Sequence, residues 1–445
     1  MKQRILLQPK TGNRHKTGRG FVLFAVSFFL LLGLFACESF DPFTPAHQPG
    51  DTLWIHDLPG SDSLFIDHTL ALGKDGSVYY AAGGGTVFWT PSRIFALNPS
   101  DGSIKWQSGK IDHIGLSSRI VVGDNGTIYV CGYYRLFAIN PQTGAFEWQW
   151  ELPDELMLDE RKVYTKGQIG ALALTDNGDL ILATPGSGVY YRGVYLISQN
   201  GSLLWYNLKL GLGFFSGITI GRNNTAFFYS NLVENNASKH YLMAIDLASG
   251  ALKWKTEVLS WLNSANNIVV GSDGNLCCTF ATASDNTVRI RRVDGASGTI
   301  LSNGSDEASA GYKLIATDGT CIVTGAGFKT YDSAGKNIRN QMGSYGALDQ
   351  KNRVTGADYD TGLHHTALCQ YKLDGTLDFS VGMNGLLGEE IVINDDKVIF
   401  GIINLHPTCR RPSKICAIQG DARLSDSAWP RPAHDNRNTS NANKR

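Results

Sequence analysis

Between residues 51 and 420 the chain is written in short apolar runs, each broken by a turn and followed by another run. Leu70–Tyr80 (LALGKDGSVYY), Ile120–Val130 (IVVGDNGTIYV), Leu172–Leu182 (LALTDNGDLIL) and Ile268–Cys278 (IVVGSDGNLCC) share one pattern. Three apolar residues lead to Asp-Gly or Asn-Gly, and three or more apolar residues follow. Asx-Gly supplies the positive φ of a two-residue hairpin turn, so each copy predicts two antiparallel strands. Looser copies follow at Ile218–Phe228, Leu314–Val323, Ala347–Thr355 and Ile391–Phe400.

A second element trails each hairpin. It reads Ala96–Trp106 (ALNPSDGSIKW), Ala138–Trp148 (AINPQTGAFEW), Ala244–Trp254 (AIDLASGALKW) and, more loosely, Leu196–Trp205 (LISQNGSLLW). Three later copies keep the glycine and lose the indole: Gly298 to Ser302, Gly335 to Arg339 and Gly375 to Phe379. Trp54 reads as the last strand of a further copy. Trp54 to Phe379 spans seven intervals of about 46 residues, the length of a propeller blade repeat. The unit is strand, turn, strand, variable loop, strand, glycine turn, strand. The fold class is therefore all-β: an eight-bladed β-propeller of four-stranded antiparallel blades. Its ring closes where the lone Trp54 strand completes the three-stranded C-terminal copy.

Ahead of the repeats, residues 1–36 carry six basic side chains and no acid, and Phe21–Phe35 is an uncharged apolar run. That run is short for a membrane span and has the form of a secretory signal. Its end, Leu34-Phe35-Ala36-Cys37, resembles the bacterial lipobox, which implies lipidation of Cys37. The domain plan is then a signal at 1–36, a tether at 37–50, the propeller at 51–421 and a tail at 422–445.

Composition narrows the partners. Charged residues are 18% of the chain, and 40 basic side chains balance 40 acidic ones. Without the leader the body has 34 bases against 40 acids, so it lacks the basic excess of a nucleic-acid binder.

The Ala-x-Asn/Asp-x-x-x-Gly-x-x-x-Trp element resembles the tryptophan-docking repeat of the pyrroloquinoline-quinone-type propellers. The resemblance implies that Trp54, Trp106, Trp148, Trp205 and Trp254 are structural, each packed between adjacent blades. It also implies two functional classes. One is the quinone-dependent alcohol and sugar dehydrogenases, with calcium and a disulfide between adjacent cysteines. The other is non-enzymatic scaffolds, including the propeller lipoprotein of the outer-membrane barrel-assembly machine. Cys277-Cys278 is an adjacent pair, but it falls inside a strand, where successive side chains point apart. The mature chain also leaves little room for the long insertions of those enzymes. No catalytic residue, metal site, pyrroloquinoline quinone or calcium is therefore assigned.

Adjacent His364-His365 and the glycine run Gly83–Gly85 read as loop features. Cys409 and Cys416 form a candidate disulfide in an oxidising compartment, and Cys131, Cys277, Cys278, Cys321 and Cys369 read as small buried residues. Strand parity puts the loops after each second strand at the same end as the blade connections. That face is the candidate binding surface, because loops on a rigid scaffold carry function. Its long loops are Gly83–Ser92, Trp150–Lys166, Thr184–Gly193, Ser230–His240, Gly356–Thr366 and Gly401–Ser413. Its candidate contacts are Trp89, Tyr190, Tyr191, Phe214, Phe215 and Trp261, with an acidic cluster at Glu151, Asp154, Glu155, Asp159 and Glu160. The expected function is a monomeric, non-catalytic scaffold anchored at the cell envelope through lipid. Its partner is another envelope protein or a glycan. The alternatives are a quinone-dependent oxidoreductase and a glycan- or peptide-binding cell-surface protein.

Overall fold

The computed structural model describes residues 47–58, 64–84, 91–112, 119–185, 191–210, 217–261, 268–307, 312–325, 327–331, 337–341, 344–360, 365–383, 386–403 and 414–426. The chain divides into Met1–His47 and Gln48–Arg445. The second unit holds every strand of the described residues, and those residues contain no helix. No helix among them is long and apolar enough to cross a membrane.

Among the described residues the strands form nine antiparallel sheets; the eight of four or five strands are numbered here as blades in chain order, and the ninth is a two-stranded hairpin. Blade 1 runs from Leu64–Leu72 to Ile104–Gln107, and blade 2 from Val121–Val122 to Phe146–Glu151. Blade 3 runs from Ala171–Leu174 to Leu203–Asn207, and blade 4 from Thr219–Gly221 to Leu252–Val258. Blade 5 runs from Ile268–Val270 to Ile300–Glu307 and carries the extra strand Ser260–Trp261. Blade 6 runs from Tyr312–Ile315 to Asn337–Gln341, and blade 7 from Ser344–Leu348 to Leu377–Met383. Blade 8 is built from Leu386–Asn394, Lys397–Ile403, Lys414–Gln419 and, as its outer strand, Thr52–Asp57. Trp54 lies opposite Ala417 in that pairing, so the first strand completes the last blade as the repeat pattern predicts.

Eight apolar clusters lie in eight seams. The cluster holding Tyr79, Ala96, Val122 and Val130 joins blades 1 and 2. The one holding Trp54, Ala417, Leu70 and Tyr80 joins blade 8 to blade 1 and closes the ring. This two-sided packing explains the apolar runs. Inner strands such as Ile128–Cys131 are buried at every residue, whereas the outer strand Phe146–Glu151 is exposed or half-buried throughout.

The turns differ in detail from the expected two-residue type. Gly73 N–H bonds to Ser77 O, and Gly76 N–H bonds to Gly73 O, which leaves three loop residues with only Gly76 left-handed (φ 77°). A type I turn followed by a left-handed glycine is the usual three-residue hairpin, and Asx-Gly serves it equally well.

The second motif is explained atom by atom. Asn140 caps its turn, its Oδ1 accepting from the N–H groups of Gln142 and Thr143. Gly144 then turns left-handed at φ 72°, and a Cβ there would lie 2.5 Å from Cε3 of Trp106 on blade 1. That indole donates its Nε1–H to Pro141 O at 2.8 Å. The same docking recurs for Trp54 on Gly102, Trp148 on Gly201, Trp205 on Gly250 and Trp254 on Gly298. Their indoles donate to the carbonyls of Pro99, Gln199, Leu247 and Gly295. Ala96, Ala138 and Ala244 sit directly opposite their own blade's Trp, in the position Leu196 takes in blade 3. Register places Ser302, Arg339 and Phe379 at the Trp position of blades 5, 6 and 7. The five indoles are not equally buried: Trp54 and Trp106 are buried, while Trp148, Trp205 and Trp254 are half-buried.

Past the propeller the chain continues to pack. Ser425 N–H bonds to Leu348 O, Gln350 N–H bonds to Arg423 O, and Leu424 bridges to Asp349. Arg353 is held in this corner by Asp349 at 2.7 Å, Asp378 at 2.6 Å and Asp421.

Candidate interaction surface

The long-loop face is best defined at blades 2 to 4, and three of its expected loops are more structured than loops. Residues within Trp150–Lys166 form a hairpin, Glu155–Leu158 paired with Arg161–Tyr164. Its two-residue turn places Asp159 and Glu160 at φ 44° and 69°, a type I′ turn made without glycine or asparagine. Ser230–His240 is also strand almost throughout: Thr225–Glu234 and Ala237–Asp246 pair up to a left-handed Asn235-Asn236 turn. Arg353–Asp360 and His365–Lys372 likewise extend into the segment expected to be a loop from Gly356 to Thr366.

The Glu155–Tyr164 hairpin lies against blade 3. Alternation turns Leu156, Leu158 and Val163 into the blade 2–3 core. It leaves Met157 and Tyr164 outward, 49% and 58% exposed. The hairpin is braced to blade 3. Tyr191 N–H donates to Tyr164 O at 2.8 Å, Arg161 Nη2 donates to the Tyr191 hydroxyl at 3.0 Å, and Lys209 pairs with Asp159 at 2.8 Å. Arg192, next along, donates to Asn231 O of the blade 4 hairpin at 2.7 Å. Val233 near the tip of that hairpin is 78% exposed.

The acidic cluster does not stand as a free anionic patch. Glu151 is clasped by Arg135 at 2.9 Å and Lys166 at 2.5 Å, and Lys166 also reaches Asp154 at 2.9 Å. Glu155 pairs with Lys162 at 3.2 Å. The Lys166 and Arg135 hydrogen bonds hold the Glu151 carboxyl below the usual carboxylate range, and the Lys166 ammonium is raised by Glu151 and Asp154. Arg135 and Lys166 also lie 4.9 and 5.0 Å from the Tyr134 ring centre, an arrangement favourable for cations on an aromatic face. Blade 4 repeats the theme: Glu234 accepts from Lys255 and from the Tyr241 hydroxyl, which is pushed up to about 12 by burial and by Glu234. Most charges on this face are therefore paired locally, and Met157, Tyr164 and Val233 stand outward among them.

Of the other predicted contacts, Tyr191 is a bracing residue, its ring under Arg161. Trp261 is on the extra strand of blade 5, opposite Phe280. Trp89, Tyr190, Phe214, Phe215, Cys37, Cys409 and His364 lie outside the described residues. Cys416 is a buried free thiol in the third strand of blade 8. Sequence reasoning missed Met157, Tyr164 and Val233. Leu156-Met157-Leu158 reads as a continuous apolar run, so alternation did not mark Met157 as outward.

The residues do not fit the quinone-stacking disulfide that the resemblance implies. Cys277 faces the blade 5–6 core and Cys278 the blade 4–5 core, so the two sulfurs stand on opposite sides of one strand. Among the described residues no three His, Cys, Asp or Glu side chains are grouped as metal ligands.

Comparison with known proteins agrees with the fold. Residues 90–205 match the family described as outer membrane protein assembly factor BamB. No curated protein matches the chain in sequence. The C-terminal WD40 domain of Sif2 superposes with a TM-score of 0.55 at 10% identity, over 84% of this chain and 99% of that one. Quinohemoprotein alcohol dehydrogenase from Comamonas testosteroni gives 0.54 at 12% identity, over 85% of this chain and 78% of that one. A europium-containing methanol dehydrogenase gives 0.51 at 10% identity, over 83% and 96%. The chain has the β-propeller fold, and its docking repeats resemble those of the PQQ type over residues 90–205.

Proposed function

We propose that this propeller is a non-catalytic scaffold of the bacterial cell envelope, held at a membrane by lipid on Cys37, and that it binds a partner protein through the long-loop face of blades 2 to 4. The observation that carries the reading is the braced hairpin Glu155–Tyr164. It presents Met157 and Tyr164 to solvent while Glu155, Asp159 and Lys162 beside them are held in ion pairs. Exposed apolar side chains on a braced mount with most of its charges paired suit protein contact better than substrate chemistry. The match of residues 90–205 to an outer-membrane assembly factor supports the envelope setting.

Site-specific photocrosslinking in intact envelopes tests the reading. A photoreactive side chain at Met157 or Tyr164 is expected to capture a discrete envelope protein. One at Asp101, on the opposite turn face, is expected to capture none. Capture from Asp101 alone would move the binding face, and saturable retention on envelope polysaccharide that Tyr164→Ser abolishes would favour glycan binding. Fatty-acid labelling lost in Cys37→Ser tests the anchor.

A further inference from the structure

The docking indoles stop at one seam. Trp254 of blade 4 is the last to seat on a glycine, Gly298 of blade 5. In blade 5 the Trp position is Ser302, opposite Arg292, and its hydroxyl is buried without a hydrogen-bond partner. The seam between blades 5 and 6 therefore lacks the contact that pins the five before it.

Two sulfurs meet in that seam. Cys277, on the second strand of blade 5, points toward blade 6, and Cys321, at the start of the second strand of blade 6, points back. Their Sγ atoms are 2.6 Å apart, well inside van der Waals contact, although both are thiols in the structure. Both residues are buried in one cluster with Val269, Ile290, Ile315 and Val323. Strand parity explains the meeting. The second residue after the hairpin glycine (Val78, Leu276, Cys321) faces the preceding blade, and the third (Tyr79, Cys277) faces the next.

We propose that Cys277 and Cys321 are joined by a disulfide that staples blade 5 to blade 6 in place of the missing indole. Lys313, fully buried on the first strand of blade 6, acts on both sulfurs. The Cys277 thiol is lowered by the hydrogen bond from Cys321 and by the charges of Lys313 and Arg292, while burial raises Cys321. Attack is by a thiolate, the nucleophilic form of cysteine, and either residue can begin it, Cys277 for instance. The oxidant is an external organic disulfide. Cys277 thiolate attacks one of its sulfurs, forming a mixed disulfide and expelling a thiolate. The Cys321 sulfur then attacks Cys277 Sγ and expels the second thiolate. The oxidant departs as two thiols, carrying the two protons and two electrons that the cysteines give up. Because both sulfurs are buried in the finished fold, exchange takes place before the two blades close.

The test is disulfide mapping of the full-length chain exported into an oxidising bacterial periplasm. The expression host supplies the oxidant, so the outcome is independent of the envelope reading above. The chain is acid-quenched, alkylated in denaturant without reductant, digested and weighed. The expected result is a peptide pair joining Cys277 to Cys321 that separates on reduction. Cys278→Ser is expected to keep the link. Cys321→Ser is expected to lose it and leave Cys277 open to alkylation. Recovery of Cys277 and Cys321 as alkylated thiols from the wild type overturns the proposal, as does a link from either residue to any other cysteine. The wild-type map decides alone if Cys321→Ser does not fold.

Discussion

Replacing Gly144 by alanine isolates the docking contact. Two costs arise. Alanine must adopt the left-handed φ of 72°, which costs about 1–2 kcal/mol. Its Cβ would also lie 2.5 Å from Cε3 and 2.9 Å from Cδ2 of Trp106, so the indole must leave its seat and lose its 2.8 Å bond to Pro141 O. Complete removal of a buried Trp costs about 3–5 kcal/mol, and a displaced ring that stays half-buried forfeits about half of that. Gly144→Ala is therefore expected to cost about 3–4 kcal/mol. Gly319 supplies the control: its φ is 84° and nothing lies within 4 Å of its Cβ position. Gly319→Ala is expected to cost only the backbone share, about 1–2 kcal/mol. In a Trp106→Ala background the cost of Gly144→Ala is expected to fall to the same value, a coupling of about 2 kcal/mol between residues in contact. Urea melts of the four combinations at positions 106 and 144, with Gly319→Ala beside them, measure this. Equal costs for Gly144→Ala and Gly319→Ala, or an unchanged cost after Trp106 is removed, would refute the docking argument.

The other predictions follow from burial and charge. Trp54→Ala is expected to cost about 3–5 kcal/mol, because the ring is 6% exposed and its strand completes blade 8. Trp148→Ala is expected to cost less, since that indole is half-buried, and equal urea midpoints would sink the ranking. Arg353→Met strands the fully buried Asp349 carboxylate and is expected to cost about 3 kcal/mol or more in the same assay, a neutral result arguing against the buried pair. Asp421 is held below its ordinary pKa by hydrogen bonds from Arg353 and Lys351. Its contribution is therefore full above the ordinary Asp value of about 3.9 and lost as pH falls from there through the lowered folded value. Asp421→Asn is expected to be less stable than wild type at neutral pH, with the gap closing below about pH 4. A gap independent of pH would remove Asp421 from the network.

The fold was legible in the sequence because its determinants are local. Asp75-Gly76 or Asn140 to Trp148 contains its own turn, cap and docking group, so each blade announces itself. Even the copies without Trp keep register, which places Ser302, Arg339 and Phe379 where the glycine spacing puts them. The surface was less legible because its determinants are distant. Glu151 and Asp154 read as an acidic patch until Arg135, from the preceding strand, and Lys166, beyond the hairpin, close on them. Asp159-Glu160 is a left-handed turn made without glycine or asparagine, which hid the hairpin inside a long loop. Cys277 and Cys321 each looked like a small core residue, and only the ring of blades makes them neighbours.

Completion of blade 8 by Thr52–Asp57 also sets an order in time. The strand that leaves the ribosome first among the blades is the one whose place is finished last. Until Lys414–Gln419 emerges, Thr52–Asp57 has no partner of its own, and its apolar Trp54 waits without the Gly102 seat and Ala417 contact together. Closing so long a loop adds little to its entropic cost, which grows only with the logarithm of length. The burden is kinetic: a pairing this remote in sequence is slow, and an unpaired strand edge is open to other chains meanwhile. Trapped or swapped species during synthesis are therefore expected at this blade before any other, and a chaperone that guards the growing chain would be needed chiefly for its first strand.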